Sequence, residues 1–259
     1  MLQGEFFQNP GSGAAAFYPY QIQKSCRFRR NDNDGLNRTL GSPTNNDILT
    51  LSCWMKRNLL GNYYMNIYHA HTGSNGHNIA FDNSGTDDTI GIGSSLGGDG
   101  TSLYRDTKGW TNFVMAWDTT QSSNNDRFKF FVNGVERDEY NASISQNANV
   151  VWNTSGNAFY IGRNTATGYT FDGYMTEIIG VDGQQLAPTA FGELVNGVWR
   201  PIDYAGTYGN NGFRLQFLQT GTNADASGIG ADTSGNGNHF ALNNITADHV
   251  VLDSPTFGS

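Results

Sequence analysis

Apolar residues recur at every second position in several short runs of the chain, which is the pattern of β-strands. From Ile48 to Met55 the alternation places four apolar residues on one face and Trp54 on the other. Apolar side chains on both faces are typical of a strand inside a sandwich. The same pattern predicts further strands at Phe113 to Trp117, Phe128 to Val132, Ala158 to Gly162, Tyr174 to Val181 and Phe213 to Leu218.

Gly and Asn mark the turns between these runs, because both tolerate positive φ angles. Gly accounts for 33 of the 259 residues, which is nearly twice its usual share of about 7%. Asn133-Gly134 predicts a hairpin with a type I′ turn, and Asp182-Gly183 closes a later strand. Many turns, abundant aromatic residues and few helix formers therefore predict an all-β fold of two antiparallel sheets.

One segment departs from the period of two. Residues 186–195, LAPTAFGELV, have a proline at an early position and apolar residues three to four apart. This spacing predicts a short helix that caps one end of the sandwich.

A length of 259 residues is ordinary for one all-β domain, so we expect residues 21–259, including the C-terminal strands, to form a single sandwich. Residues 1–20 precede the alternating pattern and carry aromatic side chains that are costly to leave in water. We expect this segment to be an arm that docks on a neighbouring chain. The alternative, that its last three aromatic residues cover one end of the same sandwich, stays open. The predicted docking residues are Phe6, Phe7, Phe17, Tyr18 and Tyr20.

The net charge of -8 disfavours generic binding to nucleic acids or to anionic membranes. No apolar run approaches the roughly 20 residues of a membrane span, and the start MLQGEFFQNP lacks the basic and apolar regions of a secretory signal. Cys26 and Cys53 are too few for a disulfide scaffold or a zinc site. We expect two buried free thiols, although a single disulfide between them stays open.

Five motifs in a fixed order resemble those of concanavalin A-like domains, and most closely their laminin-G-like branch. The family pattern is W-x-K, W-x-x-[hydrophobic]-x-x-x-x-D, V-[ND]-G, [ILY]-G and G-x-[ILM]-x-E. The resemblance covers roughly residues 24–190 and implies a two-sheet antiparallel jelly-roll sandwich. The matching residues are Trp54/Lys56, Trp110/Asp118, Val132-Asn133-Gly134, Ile161-Gly162 and Gly173/Met175/Glu177.

The segment DTSGNGNHF (232–240) resembles a D-x-SGNGN-H element that often opens such domains, but here it follows the other motifs. The resemblance implies a permuted arrangement, in which the C-terminal strands complete the sheet beside Cys26–Phe28. The alternative, that SGNGN is only a turn rich in Gly and Asn, stays open.

The arm, the LAPTAFGE segment, an NGVW-P element and an SPT-containing end are similar to domains in structural proteins of marine bacteriophages. This similarity implies a non-enzymatic virion protein: a fibre, knob or capsid decoration subunit, assembled in the cytoplasm of the host bacterium. Its implied partners are capsid or tail proteins, further copies of itself and glycans of the host surface, with no cofactor. The alternative is a secreted glycan-active enzyme or a lectin-like adhesin on the same fold.

Glycosidases that retain configuration need two carboxylates about 5–5.5 Å apart, which on one strand requires a same-face spacing of two or four. The best local pair is Glu177 and Asp182, but a separation of five places them on opposite faces. Ile179 and Val181 share the face of Glu177 in this alternation. We therefore expect no catalytic pair, and we expect Glu177 to lie at a sheet edge and bond a neighbouring loop.

Two patterns bear on metal binding. His69-x-His71 places two imidazoles on one strand face, but no third ligand follows at a compatible spacing, so we expect a polar strand surface instead. Acidic loop residues offer oxygen ligands for calcium, which some laminin-G-like domains bind at their rim. Asx turns account for the same residues, and both interpretations stay open. The calcium candidates are Asp82, Asp87, Asp88, Asp99 and Asp118.

Overall fold

The structure is a computed structural model, and it describes residues 17–61, 63–73, 75–82, 88–93, 96–138, 140, 143–166 and 168–257. These residues form two antiparallel sheets that pack face to face, with a separate small hairpin. The predicted all-β sandwich is therefore confirmed. In the described ranges the helical segments are single 3-10 turns, at Arg30–Asp32, Asn124–Asp126, Val151–Asn153, Pro188–Ala190 and Ala247–His249.

The first sheet, sheet A, has eight strands in the described part of the chain, in the order β10-β9-β8-β3-β12-β1-β17, and β15 also pairs with β12. Its strands are β1 (Ser25–Phe28), β3 (Ile48–Arg57), β8 (Thr111–Asp118), β9 (Phe128–Val132), β10 (Val135–Glu136), β12 (Gly173–Asp182), β15 (Phe213–Leu215) and β17 (Val250–Val251).

Sheet B has seven described strands in the order β16-β2-β11-β4-β5-β6-β7, and the hairpin of β13 and β14 stands apart from both sheets. The strands of sheet B are β2 (Gly35–Thr39), β4 (Met65–Thr72), β5 (Asn75–Phe81), β6 (Ile90–Ile92), β7 (Gly98–Asp99), β11 (Ala158–Ile161) and β16 (Ala241–Asn243); the hairpin is β13 (Gly192–Val195) and β14 (Val198–Pro201).

The main core lies between the two sheets, and the alternation in the sequence explains its composition. The face of β3 predicted to be buried does point into this core, whereas Trp54 is buried on the opposite side of the strand. Trp117 and Trp152 pack with their rings 5.3 Å apart inside it. The predicted hairpin turn is also confirmed, since Asn133 and Gly134 have φ angles of 47° and 78°.

A second, smaller core covers the outer face of sheet A. Val114, Ile179 and Val181 of the sheet pack there against Phe191 and Tyr204 of the segment that follows β12. The predicted helix at 186–195 is wrong in most of its length, because only Pro188–Ala190 form a 3-10 turn and Gly192–Val195 form β13. The apolar spacing of this segment reflects its packing on sheet A and not a helical face.

Strand β12 is interrupted by a β-bulge between Thr176 and Ile179. Before the bulge Met175 points into the main core; after it Ile178 does so, while Ile179 belongs to the outer core. A strict alternation therefore fails in this strand. Glu177 lies in the bulge with a φ of 46°, a conformation that is uncommon for residues other than Gly.

The bulge lies where β12 changes its neighbour. Cys26 of β1 pairs with Met175, whereas Leu215 of β15 pairs with Ile178, and β3 pairs with β12 on the other side. Glu177 is thus in an interior strand, and the expectation that it lies at a sheet edge is wrong.

A buried charge cluster stabilises the bulge. Arg214 of β15 donates a hydrogen bond of 2.9 Å to Glu177 Oε2, and Arg214 also contacts Asp203 at 2.8 Å. Tyr20 donates to Glu177 Oε1, and Gln216 Nε2 donates to the same oxygen at 2.9 Å. Burial is the largest single effect on the pKa of Arg214 and lowers it, but Glu177 together with Tyr20, Tyr208 and Asp203 outweighs burial and raises the pKa of the guanidinium.

The C-terminal strands add to both sheets, with β15 and β17 in sheet A and β16 beside β2 in sheet B. The predicted strand Phe213 to Leu218 ends at Leu215, and Phe217 reaches the main core with a φ of 57°. No helix of the described residues is long and apolar enough to cross a membrane.

We predict that Glu177→Gln destabilises the protein by about 3 kcal/mol, because it removes the buried counter-ion of Arg214 and leaves only the exposed carboxylate of Asp203. Urea unfolding followed by tryptophan fluorescence measures this change. Glu136→Gln is the matched control: Glu136 pairs with Lys129 at the surface, and its loss should change the free energy of unfolding by less than about 0.5 kcal/mol. Equal effects of the two substitutions would contradict the role assigned to Glu177.

We also predict that both thiols are unreactive in the folded protein. Cys26 and Cys53 are free and buried, and burial raises the pKa of both, that of Cys53 to about 12. Because β12 separates β1 from β3, the two cysteines lie roughly 9 Å or more apart, beyond the reach of a disulfide. Ellman's reagent should detect no thiol under native conditions and two in guanidinium chloride; a rapid native reaction would contradict this.

Candidate functional site

A groove of about 480 Å³ opens at one end of the sandwich. It lies where β3 ends, β8 begins and β9 turns into β10, and the segment 102–106 forms its outer wall. We call it the rim groove. Its lining combines cationic, hydroxyl, amide and apolar side chains: Met55, Arg57, Ser102, Leu103, Tyr104, Arg105, Asp106, Thr111, Phe113, Val132, Asn133 and Arg137.

Arg57 is the last residue of β3, and its side chain is almost fully buried at the base of the groove. Its guanidinium lies 3.9 Å from the ring centre of Phe81, donates to Asp88 at 2.8 Å and donates to the backbone oxygen of Tyr104 at 2.5 Å. Burial lowers the pKa of Arg57, and the hydrogen bond from Arg57 to Asp88 partly offsets this effect. Its Nε is buried and has no hydrogen-bond partner among the described residues.

Asp88 organises this end of the molecule. One carboxylate oxygen accepts from Arg57 and from the backbone N–H of Gly61, and the other accepts from Arg105 Nε at 2.8 Å. Burial alone would raise the pKa of Asp88, but these three hydrogen bonds outweigh it and lower the pKa. The carboxylate is therefore ionised at neutral pH and fixes two arginines beside the groove.

Two further charged residues line the groove. Asp106 accepts hydrogen bonds from the backbone N–H groups of Gly109 and Lys108, which lower its pKa. Arg137 lies just after β10, and its buried Nε has no hydrogen-bond partner in the described part of the chain. The side chain of Arg105 is 53% exposed, so this cationic group faces solvent at the mouth of the groove.

Exposed tyrosines lie at the same end of the sandwich. The backbone N–H of Tyr63 donates a hydrogen bond to the backbone oxygen of Gly61, and the N–H of Gly61 donates to Asp88. Its ring is 39% exposed and stacks under the guanidinium of Arg30 at 4.9 Å. Tyr169 is 44% exposed and contacts the ring of Tyr64 edge-on. The rim therefore presents aromatic faces beside a cationic groove.

The carboxyl groups of the groove are poor candidates for acid catalysis. A glycosidase acid needs a raised pKa so that it carries a proton at neutral pH, whereas the pKa values of Asp88 and Asp106 are lowered. Glu177 is also unsuitable, because both of its oxygens are occupied by Tyr20, Gln216 and Arg214.

Two carboxyl groups on different strands lie near the same residue, an arrangement that spacing along one strand does not reveal. Asp82, just after β5, and Asp99 of β7 both approach Gly91 of β6, with oxygens 3.9 Å and 2.8 Å from the position that a Cβ on Gly91 would occupy. Tyr64 is nearby: burial, followed by the charge of Asp82, raises its pKa to about 12. Neither carboxyl lines the rim groove.

The calcium candidates do not converge on one site. Asp88 is held by Arg57 and Arg105, and Asp118 forms an Asx turn by accepting from the backbone N–H and the hydroxyl of Thr120. Asp87 lies outside the described residues. Among the described residues, no three carboxylate, imidazole or thiol groups lie together. Calcium binding at these residues stays a prediction.

The two imidazoles of β4 stack within their strand face. The rings of His69 and His71 are 6.0 Å apart, and His69 shares a hydrogen bond of 2.8 Å with Asn78. Burial lowers the pKa of His69, so this imidazole is neutral at pH 7. Asn78 and Tyr160 contact His69, which is buried, so the expectation of a polar strand surface is wrong at this residue.

The described part of the predicted arm lies against its own domain. Tyr20 bonds to the Glu177 cluster, and the ring of Phe17 lies under Arg200 of β14 at 5.4 Å while contacting Tyr18 edge-on. These contacts agree with the alternative that the end of the arm covers the sandwich. Phe6 and Phe7 lie outside the described residues, so docking by this part of the arm stays a prediction.

The arginines of the groove were not singled out from the sequence. Arg57 directly follows the W-x-K motif, and this position at a strand end was the one available signal. Arg105 and Arg137 are separated from it by 48 and 80 positions in unremarkable polar segments. Only the folding of β3, β8 and β9 brings these three arginines to one groove.

Comparison with known proteins places this architecture in a family. A laminin-G-type model described as "Concanavalin A-like lectin/glucanases superfamily" matches residues 31–179, more than half of the chain. This range excludes β1 and the strands from β13 onward, although several of these complete the sheets. A comparison with curated proteins found no significant match.

Solved structures are similar to this chain to different degrees. A putative carbohydrate binding protein from Bacteroides ovatus is 17% identical with a TM-score of 0.58, covering 92% of this chain, which spans 62% of that protein. Domain 4 of the arabinanase AbnA from Geobacillus stearothermophilus, in complex with arabinotriose, is 21% identical, with a TM-score of 0.43 and coverage of 60% and 69%. Tailspike protein 2 of an Escherichia coli O157:H7 bacteriophage is 15% identical, with a TM-score of 0.41 and coverage of 64% and 23%. With its matched sequence range and its two-sheet sandwich, this chain belongs to the concanavalin A-like lectin/glucanase superfamily, in its laminin-G type.

Proposed function

We propose that this chain is a non-catalytic glycan-binding subunit of a bacteriophage particle, with the rim groove as its glycan-binding site. The observation that carries the glycan-binding part is the groove itself, about 480 Å³ in volume and lined by cationic, hydroxyl, amide and apolar side chains. A space of this size accommodates one or two sugar residues, and small-molecule sites typically fall in this range.

The chemistry of the groove suits a sugar. Sugar hydroxyls both donate and accept hydrogen bonds, and Thr111, Ser102 and Asn133 offer partners of both kinds. The C–H faces of a sugar ring are apolar and pack on exposed carbon surfaces such as Leu103, which lines the groove and is 47% exposed. Polar and apolar contacts thus border one concave space.

The non-catalytic part is supported by the ionisation of the groove carboxyls. Asp88 and Asp106 are both held in the ionised form by hydrogen bonds, so neither supplies the proton that departure of a glycosidic oxygen requires. The groove is therefore suited to holding a glycan and not to cleaving it.

The particle role is supported by sequence features. The aromatic N-terminal segment, the LAPTAFGE segment, the NGVW-P element and the SPT-containing end are similar to phage structural domains. In this proposal the chain is a fibre, knob or capsid decoration subunit that assembles in the host cytoplasm, contacts capsid or tail proteins and further copies of itself, and binds host-surface glycans.

A second candidate function is glycan hydrolysis, which the approach of Asp82 and Asp99 beside Gly91 favours. The purified chain, incubated with each glycan it binds, decides between the two. Release of reducing ends that Asp99→Asn abolishes would establish the enzyme, and binding without release supports the non-catalytic proposal.

We predict that Leu103→Ala weakens glycan binding about fivefold, because partial burial of a leucine contributes roughly 1 kcal/mol. A glycan array with the full chain identifies ligands, and titration calorimetry compares the variants. Leu252→Ala is the matched control, since Leu252 is 60% exposed and does not line the groove. Equal affinities of the two variants, or no glycan bound at all, would exclude the rim groove as the binding site.

We predict that the chain is present in particles produced by a culture that carries its gene. Gradient-purified particles should contain it at a fixed ratio to the capsid protein by quantitative mass spectrometry. Its absence from intact particles, with the free protein in the lysate, would contradict the particle role and leave glycan binding unaffected.

A further inference from the structure

We infer that the rim groove selects glycans that carry an acidic group, a carboxylate or a sulfate ester, and that Arg105 and Arg137 contact this group. The inference rests on the proposed function, because it names the class of glycan that the same groove takes.

The first support is the balance of charge. Three arginines line or underlie the groove, and two carboxylates, Asp88 and Asp106, lie among them, so three positive charges against two negative leave a net charge of +1. The whole chain has a net charge of -8. A local positive site on an acidic protein attracts an anion at short range while the remaining surface repels polyanions in general.

The second support is the stoichiometry of the buried ion pairs. Asp88 neutralises one charge, yet it bonds both Arg57 and Arg105. Arg57 is held at the base of the groove and has little freedom to move, because its guanidinium contacts Asp88, the Tyr104 backbone and Phe81. The surplus charge is therefore presented at the mouth, where Arg105 is 53% exposed.

The third support is the state of Arg137. No ion pair or side-chain hydrogen bond involves its guanidinium within the described ranges, and its Nε is buried without a partner. It also borders a second cavity that contains Glu136 and Asp138. Glu136 is paired with Lys129 at 3.0 Å, and among the described residues Asp138 forms no ion pair with Arg137. A partly buried cation without a counter-ion is costly, and an acidic group of the ligand would supply the missing partner.

An arginine recognises such groups by geometry as well as charge. The planar guanidinium donates two parallel hydrogen bonds to a carboxylate or to two oxygens of a sulfate. A neutral sugar offers hydroxyl oxygens but no negative charge, so it leaves the surplus charge of the groove unbalanced. We therefore expect acidic glycans to bind more tightly than neutral glycans of the same length.

The test measures binding of the full chain to dextran, polygalacturonate, alginate and dextran sulfate by biolayer interferometry. We expect binding to an acidic polymer, and we expect this binding to be weaker at 0.5 M than at 0.1 M salt.

Arg137→Gln should weaken binding to the acidic polymer tenfold or more, as expected for hydrogen bonds to charged groups, and Arg105→Gln should weaken it similarly. Arg27→Gln is the matched control, because Arg27 is exposed on β1 and away from the groove. Comparison of the uronate polymers with dextran sulfate shows which acidic group is preferred.

The outcomes separate this inference from the proposed function. Binding to dextran that equals binding to the acidic polymers, and that survives Arg137→Gln, overturns the inference and leaves glycan binding in place. Binding to none of the glycans on the array or the four polymers overturns both. An equal loss in the Arg137→Gln and Arg27→Gln variants overturns the inference in favour of general attraction between charges. Unfolding curves of each variant establish that losses do not arise from misfolding, and Arg105→Gln is decisive if Arg137→Gln does not fold.

Discussion

The architecture depends on how strand β12 satisfies its backbone hydrogen bonds. One edge of β12 pairs with β3 along its length, but the other edge is shared by β1 and β15, which arrive from opposite ends of the chain. The bulge at Glu177 allows this change of neighbour, because an extra residue is left out of the ladder and the strand bends. Glu177 takes a left-handed conformation there, and its carboxylate then meets Arg214 of β15. A carboxylate–guanidinium pair thus fixes the point where the N-terminal and C-terminal parts of the sheet join.

The change of phase at the bulge also explains the second core. Once Ile178 points into the main core, Ile179 and Val181 face outward, and exposed apolar side chains in an interior strand require a cover. Phe191 and Tyr204 of the segment after β12 provide it. At the far end of β12, Asp182 accepts hydrogen bonds from the backbone of Thr44 and Asn211, which joins two loops to the strand end. The strand is therefore held at its end, at its bulge and on both faces.

The rim groove lies at the other end of the same frame. There Asp88 has the organising role, because it accepts hydrogen bonds from Arg57, Arg105 and Gly61 and so connects β3 with the loops of sheet B. A single carboxylate between two arginines leaves a positive charge at the mouth of a concave space. This arrangement ties structural stability to recognition: the ion pairs that hold the rim loops also position the cations that we propose to meet the ligand.

Neighbours along the chain specify the fold class, the positions of the major strands and the hairpin turn. Alternation in β3 and the Asn133-Gly134 turn depend on neighbours in the chain, and the structure confirms both. Glu177 shows the limit of this reasoning, because the bulge arises from the pairing of β12 with β15, some 37 residues further on. The segment 186–195 shows it again, since its apolar spacing follows the surface of sheet A and not a helical period.

The site was decided by the tertiary structure. Local spacing excluded a carboxylate pair within one strand, but only the sheet brings Asp82 and Asp99 together across β6. In the same way Arg57, Arg105 and Arg137 carry no shared sequence pattern, and they line one groove because three strands end or begin at the same rim. Which segments form strands follows from the local alternation of apolar and polar side chains along the chain. A binding site in a sandwich is built from loops at one end, and the order of the strands decides which loops meet.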